Sequence, residues 1–364
     1  MNRTTQKPIL VMAGGTGGHV FPALAVAEYL RQQGERIVWL GTRSGIEARV
    51  VPAADFAIEW LSVQGLRGKG LATLILAPFR LLRACWQALR VLRRTRPKAV
   101  LGMGGFVAGP GGLMAWLLRI PLFLHEQNSI IGLTNRILSR LATRSYFAFP
   151  DAAQSVPRSE CVGNPVRASF ADMGDPAARL NDRMDQPLQL LVIGGSLGAA
   201  ALNRVLPEAI ACLDRDQRPR VRHQCGDRHV DVCRQNYHTA GVEAEVTSFI
   251  EDMPSAYAWA DLVVCRAGAL TIAELAATGV ASLLIPFPYA VDNHQYHNAR
   301  FLEQNKAAQI IGEDKLSAES LALKLKFFQQ NRPLLLEMAL NARACFRADA
   351  TERLAEGVLA GALS

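Results

Sequence analysis

Short apolar runs alternate with stretches whose apolar residues recur at helical spacing, and this alternation predicts parallel sheets covered on both faces. In the first half, residues 9–12, 37–40, 58–61, 99–101, 122–124 and 146–149 read as strands. Between them the spacing predicts helices over 21–33 and 131–141, and a long one over 71–94 that is interrupted or begun at Pro78. Polar and turn-forming residues suspend the pattern over 150–186, with Gly163-Asn164-Pro165 among them. It then restarts, with strands predicted at 188–193, 220–223, 245–249, 262–265, 281–285 and 307–310, and helices such as 201–212 and 272–278 between them. Two doubly wound halves imply a cleft, a favoured place for ligands. The expected domains are 1–163 and 164–344, with a last helix at about 345–364 returning to the first.

Three predicted strands end in glycine-rich bends: Gly14-Gly15-Thr16-Gly17-Gly18-His19, Gly102-Met103-Gly104-Gly105 and Gly194-Gly195-Ser196-Leu197-Gly198. Bare backbone N–H groups at the start of a helix suit an anion, whereas one such bend alone serves equally as a plain connector. The recurrence points to phosphates or other polar ligands at the strand ends. The bends do not spell a dinucleotide fingerprint, since Val20 and Val107 stand where the third glycine belongs, and no acidic residue ends the strand at 37–40. No G-x-x-x-x-G-K-[ST] occurs, which argues against a P-loop NTPase.

At 364 residues the chain is long enough for about two domains, and with 50% hydrophobic and 20% charged residues it is globular in balance. Seven cysteines without a C-x-x-C pair argue against a disulfide framework and a zinc site, and suit a reducing compartment. Arg3 and Lys7 precede an apolar run, but the glycines and His19 interrupt it, so no secretory signal is expected. Residues 99–118 are uncharged, yet six are glycine and one is Pro110, so no membrane span is expected there either.

Charge changes the picture more. From Leu61 to His125 there is no Asp or Glu, while Arg67, Lys69, Arg80, Arg83, Arg90, Arg93, Arg94, Arg96, Lys98 and Arg119 exceed the net charge of +8. Leu74, Ile75, Leu76, Phe79, Leu82, Trp86 and Trp116 are interleaved with them. Cations beside exposed apolar side chains suit an anionic membrane surface. A solvated face over the protein's own core is the plainer reading, and a nucleic-acid surface lacks any accompanying motif.

The bends, together with Val20-Phe21-Pro22, Gly65-Leu66-Arg67-Gly68-Lys69-Gly70, His125-Glu126-Gln127-Asn128, Gly163-Asn164-Pro165-Val166-Arg167 and Cys265-Arg266-Ala267-Gly268-Ala269-Leu270-Thr271, resemble the MurG family from Pro8 to about Arg353. Those enzymes add N-acetylglucosamine to lipid-linked N-acetylmuramoyl-pentapeptide in peptidoglycan synthesis. The resemblance implies a GT-B fold, two Rossmann-like α/β domains facing a central cleft. It implies UDP-N-acetylglucosamine as donor and undecaprenyl-diphosphate-linked muramoyl-pentapeptide as acceptor. It also implies peripheral attachment at the cytoplasmic face of the bacterial inner membrane, with no cofactor, metal or nucleic acid. A UDP-N-acetylglucosamine epimerase of the same fold is the alternative.

By the same resemblance, Thr16, Gly17, Gly18, Asn128, Arg167, Ser196, Ile250, Ala269, Leu270, Thr271, Ile272, Ala273, Glu274 and Gln295 would bind the donor. Ile250 would meet uracil through its backbone, Ser196 would lie by the diphosphate, and Gln295 would bond the sugar. Where the family has two successive glutamines, His294 occupies the first place. Glu274 has two readings, because Thr271-Ile272-Ala273-Glu274 also spells a capping box while the family uses this carboxylate for the ribose hydroxyls. Transfer from an α-linked donor to a β-linked product inverts the anomeric carbon in one displacement and requires a base. His19 is the first candidate, as base or as diphosphate donor, and Glu126 the second. Asp214-Arg215-Asp216 spells D-x-D but stands before a strand, where a solvated loop is expected.

Overall fold

The computed structural model describes residues 6–63, 77–171, 173–195 and 198–362. The chain forms two compact units, residues 1–167 with 347–364, and residues 168–346.

The first unit is built on a seven-stranded parallel sheet: β1 (Ile9–Met12), β2 (Ile37–Gly41), β3 (Ala57–Trp60), β4 (Ala99–Gly102), β5 (Leu122–Glu126), β6 (Arg144–Phe147) and β7 (Ser159–Cys161), in the order β3-β2-β1-β4-β5-β6-β7. Its helices are α1 (Gly17–Gln32), α2 (Glu47–Ala53), α3 (Ala77–Thr95), α4 (Ala108–Leu117), α5 (Leu133–Leu138) and α6 (Pro150–Gln154). The strands read as unbroken apolar runs because both faces are covered. Ile9, Val11, Trp39 and Leu101 pack with Val20, Val26 and Leu30 of α1, while Leu10, Met12, Leu40 and Val100 pack with Ala88, Val91 and Leu92 of α3.

The second unit holds α7 (Ala168–Ala171) and α8 (Pro176–Asn181), then β8 (Gln189–Ile193), α9 (Ala200–Ala211), β9 (Arg220–Gln224), α10 (Val230–Thr239), β10 (Glu245–Thr247), α11 (Met253–Trp259), β11 (Leu262–Cys265), α12 (Ala269–Thr278), β12 (Ala281–Leu284), α13 (His294–Gln304), β13 (Ala308–Ile310), α14 (Ala318–Gln330) and α15 (Arg332–Ala344). Its six parallel strands run β10-β9-β8-β11-β12-β13. In each sheet the strand order reverses direction next to the unit's first strand, between β1 and β4 and between β8 and β11. That reversal is where open parallel sheets hold ligands.

The last helix, α16 (Ala350–Ala362), belongs to the first unit, where Leu354, Ala355 and Val358 are buried against the same face as α1. Gly357 and Gly361 let its backbone lie close to the sheet. A Cβ at 357 would fall on the Tyr146 hydroxyl, and one at 361 would stand 2.6 Å from Cζ of Phe123. Arg353 pairs with Glu160 of β7, fixing the helix at the sheet edge.

Several elements differ from the pattern reading. Helix α1 begins four residues before the predicted 21, so the glycines of the first bend form its opening turn. Strand β6 sits two residues earlier than predicted, because Arg144 and Ser145 pair with Phe123 and Leu124. The polar stretch 150–186 contains α6, β7, α7 and α8. Of the predicted helix 71–94, residues 71–76 lie outside the described residues, and α3 starts at Ala77 beside Pro78.

Candidate functional site

In the first unit the first two glycine bends lie against each other at the carboxyl ends of β1 and β4. Gly105, at φ +82, approaches Gly14 so closely that a Cβ there would fall on the Gly14 carbonyl oxygen. Gly15, at φ +94, faces open space. Thr16 is the N-cap of α1 but makes no side-chain cap bond, so the first-turn N–H groups of Gly17 and Gly18 stay directed off the helix end. The imidazole of His19 lies on Gly104, where a Cβ would stand 2.9 Å from Nε2, and its Nδ1 is 3.4 Å from Oγ1 of Thr16.

A residue that the pattern gave no reason to select anchors this loop. Glu47 is fully buried, and its Oε2 accepts the N–H of Gly15 at 2.9 Å. Its Oε1 accepts the N–H of Thr42 at 2.9 Å and the Thr42 hydroxyl at 2.7 Å. One carboxylate therefore ties the first bend to the end of β2.

Glu126 is also spoken for. Its Oε1 accepts from the backbone N–H of Asn128 at 3.1 Å and its Nδ2 at 3.3 Å, and its Oε2 from Gly132 N–H at 3.1 Å and Asn135 Nδ2 at 2.9 Å. Four donors fill the usual capacity of a carboxylate. Asn128 thus turns its amide to Glu126, within the loop that follows β5. Next to it, His125 is fully buried, with Nε2 2.9 Å from the Gly163 carbonyl and Nδ1 3.3 Å from the Gln127 amide nitrogen. Burial lowers its pKa to about 4, so it is neutral, donating from Nε2 and accepting at Nδ1. Arg167 ends the first unit's main segment with its guanidinium 5.3 Å from the ring of Phe21.

The second unit presents a parallel arrangement. Gly194 follows β8 and Gly195, at φ +78, faces open space as Gly15 does. Ser196 and Leu197 lie outside the described residues. His229 lies over Gly198, where a Cβ would stand 2.6 Å from Cδ2. Across the switch point, α12 starts after β11 with Gly268 as N-cap, so Ala269, Leu270 and Thr271 form its first turn and Ile272 and Ala273 follow. Of the two readings of Glu274, the capping box with Thr271 does not form, since Thr271 is already the third helical residue. Glu274 instead accepts from the buried Tyr257 hydroxyl at 3.2 Å.

Gln295, the second residue of α13, points its Oε1 at two backbone N–H groups, Ala267 at 3.3 Å and Phe287 at 3.0 Å. Among the described residues nothing takes its Nε2 hydrogens. Its neighbour His294 holds the Val291 carbonyl through Nδ1 at 2.8 Å. Asn298, one turn on and fully buried, donates to the Ala267 carbonyl at 3.2 Å. Ile250 is half-buried just past β10. Asp214, Arg215 and Asp216 are exposed in a turn ahead of β9. Burial between Tyr237 and Asn203 lowers the pKa of His223 to about 3, leaving it a neutral core group.

The basic segment forms a surface of its own in the first unit. Helix α3 buries Ala84, Ala88, Val91 and Leu92 and turns out Phe79, Leu82 and Trp86, which are 70%, 67% and 59% exposed. Trp116 and Leu117 of the adjoining α4 are exposed as well. Leu74, Ile75 and Leu76 lie outside the described residues. Among the described residues no helix is long and apolar enough to cross a membrane.

Residues 9–147 match the model of the glycosyltransferase family 28 N-terminal domain, and residues 189–354 that of its C-terminal domain. A protein of Cupriavidus pinatubonensis (strain JMP 134 / LMG 1197), named UDP-N-acetylglucosamine–N-acetylmuramyl-(pentapeptide) pyrophosphoryl-undecaprenol N-acetylglucosamine transferase, is 54% identical over 97% of this chain and 98% of its own length. A protein of the same name from Alkalilimnicola ehrlichii is 56% identical over 96% of this chain and 97% of its own. The crystal structure of Acinetobacter baumannii MurG superposes with a TM-score of 0.81 at 41% identity, covering 97% of this chain and 99% of that one. A putative UDP-N-acetylglucosamine 2-epimerase from Listeria monocytogenes has a TM-score of 0.67 at 14% identity over 96% of this chain and 95% of that one, a likeness of fold alone.

Proposed function

The chain belongs to glycosyltransferase family 28, and from that premise we propose that it transfers N-acetylglucosamine from UDP-N-acetylglucosamine to undecaprenyl-diphospho-N-acetylmuramoyl-pentapeptide, the step from lipid I to lipid II in peptidoglycan synthesis. The observation that carries this reading is likeness above one-half identity running through both units to relatives named for that reaction. The fold is that of a GT-B enzyme, with doubly wound parallel sheets in both units.

The donor's diphosphate is assigned to the third bend, where Gly195 and the start of α9 offer N–H groups to the charge that develops on UDP as the glycosidic bond breaks. Ser196 belongs to the same assignment by resemblance. Glu274 takes the ribose hydroxyls, its Oε2 steadied by Tyr257. Residues Ala269 to Ala273 cradle the phosphates and sugar at the first turn of α12. Gln295 gives its Nε2 hydrogens to the sugar while its Oε1 holds the two loops around it. Ile250 meets uracil through its backbone. Thr16, Gly17, Gly18, Asn128 and Arg167 complete the donor set from the first unit.

His19 is the base. In the tautomer with its hydrogen on Nδ1, toward Oγ1 of Thr16, the imidazole takes the proton from the acceptor's hydroxyl at Nε2 as that oxygen attacks the anomeric carbon. Glu126 serves that reaction indirectly, since its four hydrogen bonds hold the loop after β5 and leave it no capacity for a fifth donor. The apolar and cationic side chains of α3 and α4 rest on the cytoplasmic face of the inner membrane, where the acceptor's diphosphate emerges.

The test supplies labelled UDP-N-acetylglucosamine with and without the lipid-diphosphate muramoyl acceptor. Release of UDP and labelling of the lipid only when both substrates are present are expected. Turnover of the donor in the absence of lipid would overturn the transferase reading in favour of an epimerase.

A further inference from the structure

Gln127, in the loop that follows β5, is 1% exposed and reaches across to the second glycine bend. Its Nε2 lies 2.7 Å from the Met103 carbonyl oxygen and 3.3 Å from Nδ1 of His125. These partners fix which end of the amide is which, since the reversed amide would set one oxygen against another at 2.7 Å. Both Nε2 hydrogens are therefore in use. Oε1 is buried and, among the described residues, has no hydrogen-bond partner. A buried oxygen left unpaired costs stability, so packing alone would favour an apolar side chain of the same length. What the amide supplies is its pair of donors.

The Met103 end shows what they are for. Met103 is fully buried, and its N–H bonds the Met12 carbonyl at 2.8 Å, at the end of β1. After it come Gly104 at φ +103 and Gly105 at φ +82. Two successive glycines at positive φ have few steric limits of their own, so the course of the bend is set where it begins. The Met103–Gly104 peptide is a rigid plane whose carbonyl and N–H point opposite ways. By holding the carbonyl, Gln127 fixes that plane and the Gly104 Cα at its far end. On this Cα the imidazole of His19 packs, where a Cβ would stand 2.4 Å from Cδ2. His125 keeps the amide from turning: with its Nε2 hydrogen given to the Gly163 carbonyl at 2.9 Å, its Nδ1 is left to accept the second Nε2 hydrogen.

We propose that Gln127 is a positioning residue for glycosyl transfer, holding the Met103–Gly104 peptide in the orientation that seats the His19 imidazole. The proposal rests on the reading of His19 as the base. Buried as it is, Gln127 acts through the bend and not on the substrates. Without its bond the peptide before Gly104 is at liberty to rotate, and the imidazole loses the surface that sets the direction of Nε2.

The test is steady-state transfer to the lipid-diphosphate muramoyl acceptor, with both substrates saturating, by the full chain and by Gln127→Met, His19→Ala and the double variant. Gln127→Met keeps the length of the side chain and removes its donors. Its kcat is expected to fall about tenfold, the worth of one neutral hydrogen bond near the top of its range, with the KM for UDP-N-acetylglucosamine unchanged. In the His19→Ala background the same substitution should cost less than about twofold, because the group it positions is gone. Unchanged kcat in Gln127→Met would overturn the proposal. So would a loss that persists in full in the His19→Ala background, or one confined to the donor KM. Thermal unfolding of each variant checks that it folds. Gln127→Asn keeps an amide but draws it back by one methylene, and takes the place of Gln127→Met, with the same expectations, if that variant does not fold. The readings fail separately. A near-normal kcat in His19→Ala would remove the base and this proposal with it, whereas a slowed His19→Ala beside an unslowed Gln127→Met would remove the proposal alone.

Discussion

Oε2 of Glu47 accepts the backbone N–H of Gly15 at 2.9 Å, across 32 residues of chain, with Glu47 fully buried and Gly15 at the surface. The bond, together with those from Thr42, makes a buried carboxylate the fixed point of the first bend. Glu47→Ala leaves the Gly15 and Thr42 N–H groups without an acceptor and should destabilise the protein by about 3 kcal/mol, as buried donors left unmade do. Glu47→Gln retains an acceptor oxygen and should cost less. Urea unfolding of both variants checks the order, and an alanine variant as stable as the parent would show that the bond is dispensable.

His19 and Gly104 should behave as a pair. His19→Ala is expected to lower kcat by about a hundredfold or more, in the range of a general base, with the KM for donor little changed. Gly104→Ala places a methyl group where the imidazole lies and forces a side chain to φ +103, so its kcat should fall in the same direction. Steady-state kinetics at saturating acceptor decide this. Near-normal kcat in His19→Ala would remove it as the base.

Tyr257 and Glu274 offer a binding test instead of a rate test. Removing the hydroxyl in Tyr257→Phe keeps the ring in its edge contact with Phe170, 5.8 Å between centres, but takes one hydrogen bond from the carboxylate. The KM for UDP-N-acetylglucosamine should rise about tenfold with kcat nearly constant, the worth of one hydrogen bond to a charged group. A variant with unchanged KM and a lowered kcat would contradict the positioning role.

Stability should depend on pH through two buried histidines. Burial holds the folded pKa of His125 at about 4 and of His223 at about 3, both below the ordinary value of about 6.5 in an unfolded chain. The unfolded chain therefore binds protons first as pH falls. Their contribution is complete above pH about 6.5 and is lost as acid approaches the folded values, at about 1.4 kcal/mol per pH unit for each group. Unfolding free energies measured from neutral pH down to pH 5 should decline, and replacing His223 by Gln should flatten that decline.

Gly357 gives a packing prediction. A methyl group at this position of α16 collides with the Tyr146 hydroxyl, so Gly357→Ala should cost about 2 kcal/mol despite the gain in helix propensity. A smaller penalty in Gly357→Ala made together with Tyr146→Phe would locate the strain at that hydroxyl.

The alternation of apolar runs made most strands legible, because a sheet covered on both faces writes itself as unbroken hydrophobic segments. β7 was not legible: Ser159-Glu160-Cys161 is polar and half-buried, and only backbone pairing with β6 makes it a strand. The Thr271 to Glu274 spacing suggested a cap, but Gly268 starts the helix earlier and takes that possibility away. Gln295 and Glu274 were selected by resemblance, while their supports were not. Glu47, Tyr257 and Asn298 act through backbone groups or through partners far along the chain, and no local spacing records such bonds. The cation-rich segment was evident from charge, yet which of its apolar side chains face outward, Phe79, Leu82 and Trp86, follows only from how α3 packs.

The first unit is completed by α16, which follows the whole second unit in sequence. During synthesis the sheet face that carries Phe123 and Tyr146 therefore waits, uncovered, until the entire second unit has left the ribosome. A stop codon just ahead of α16 would therefore leave a product with both sheets but one open apolar face, prone to clump or to be captured by chaperones.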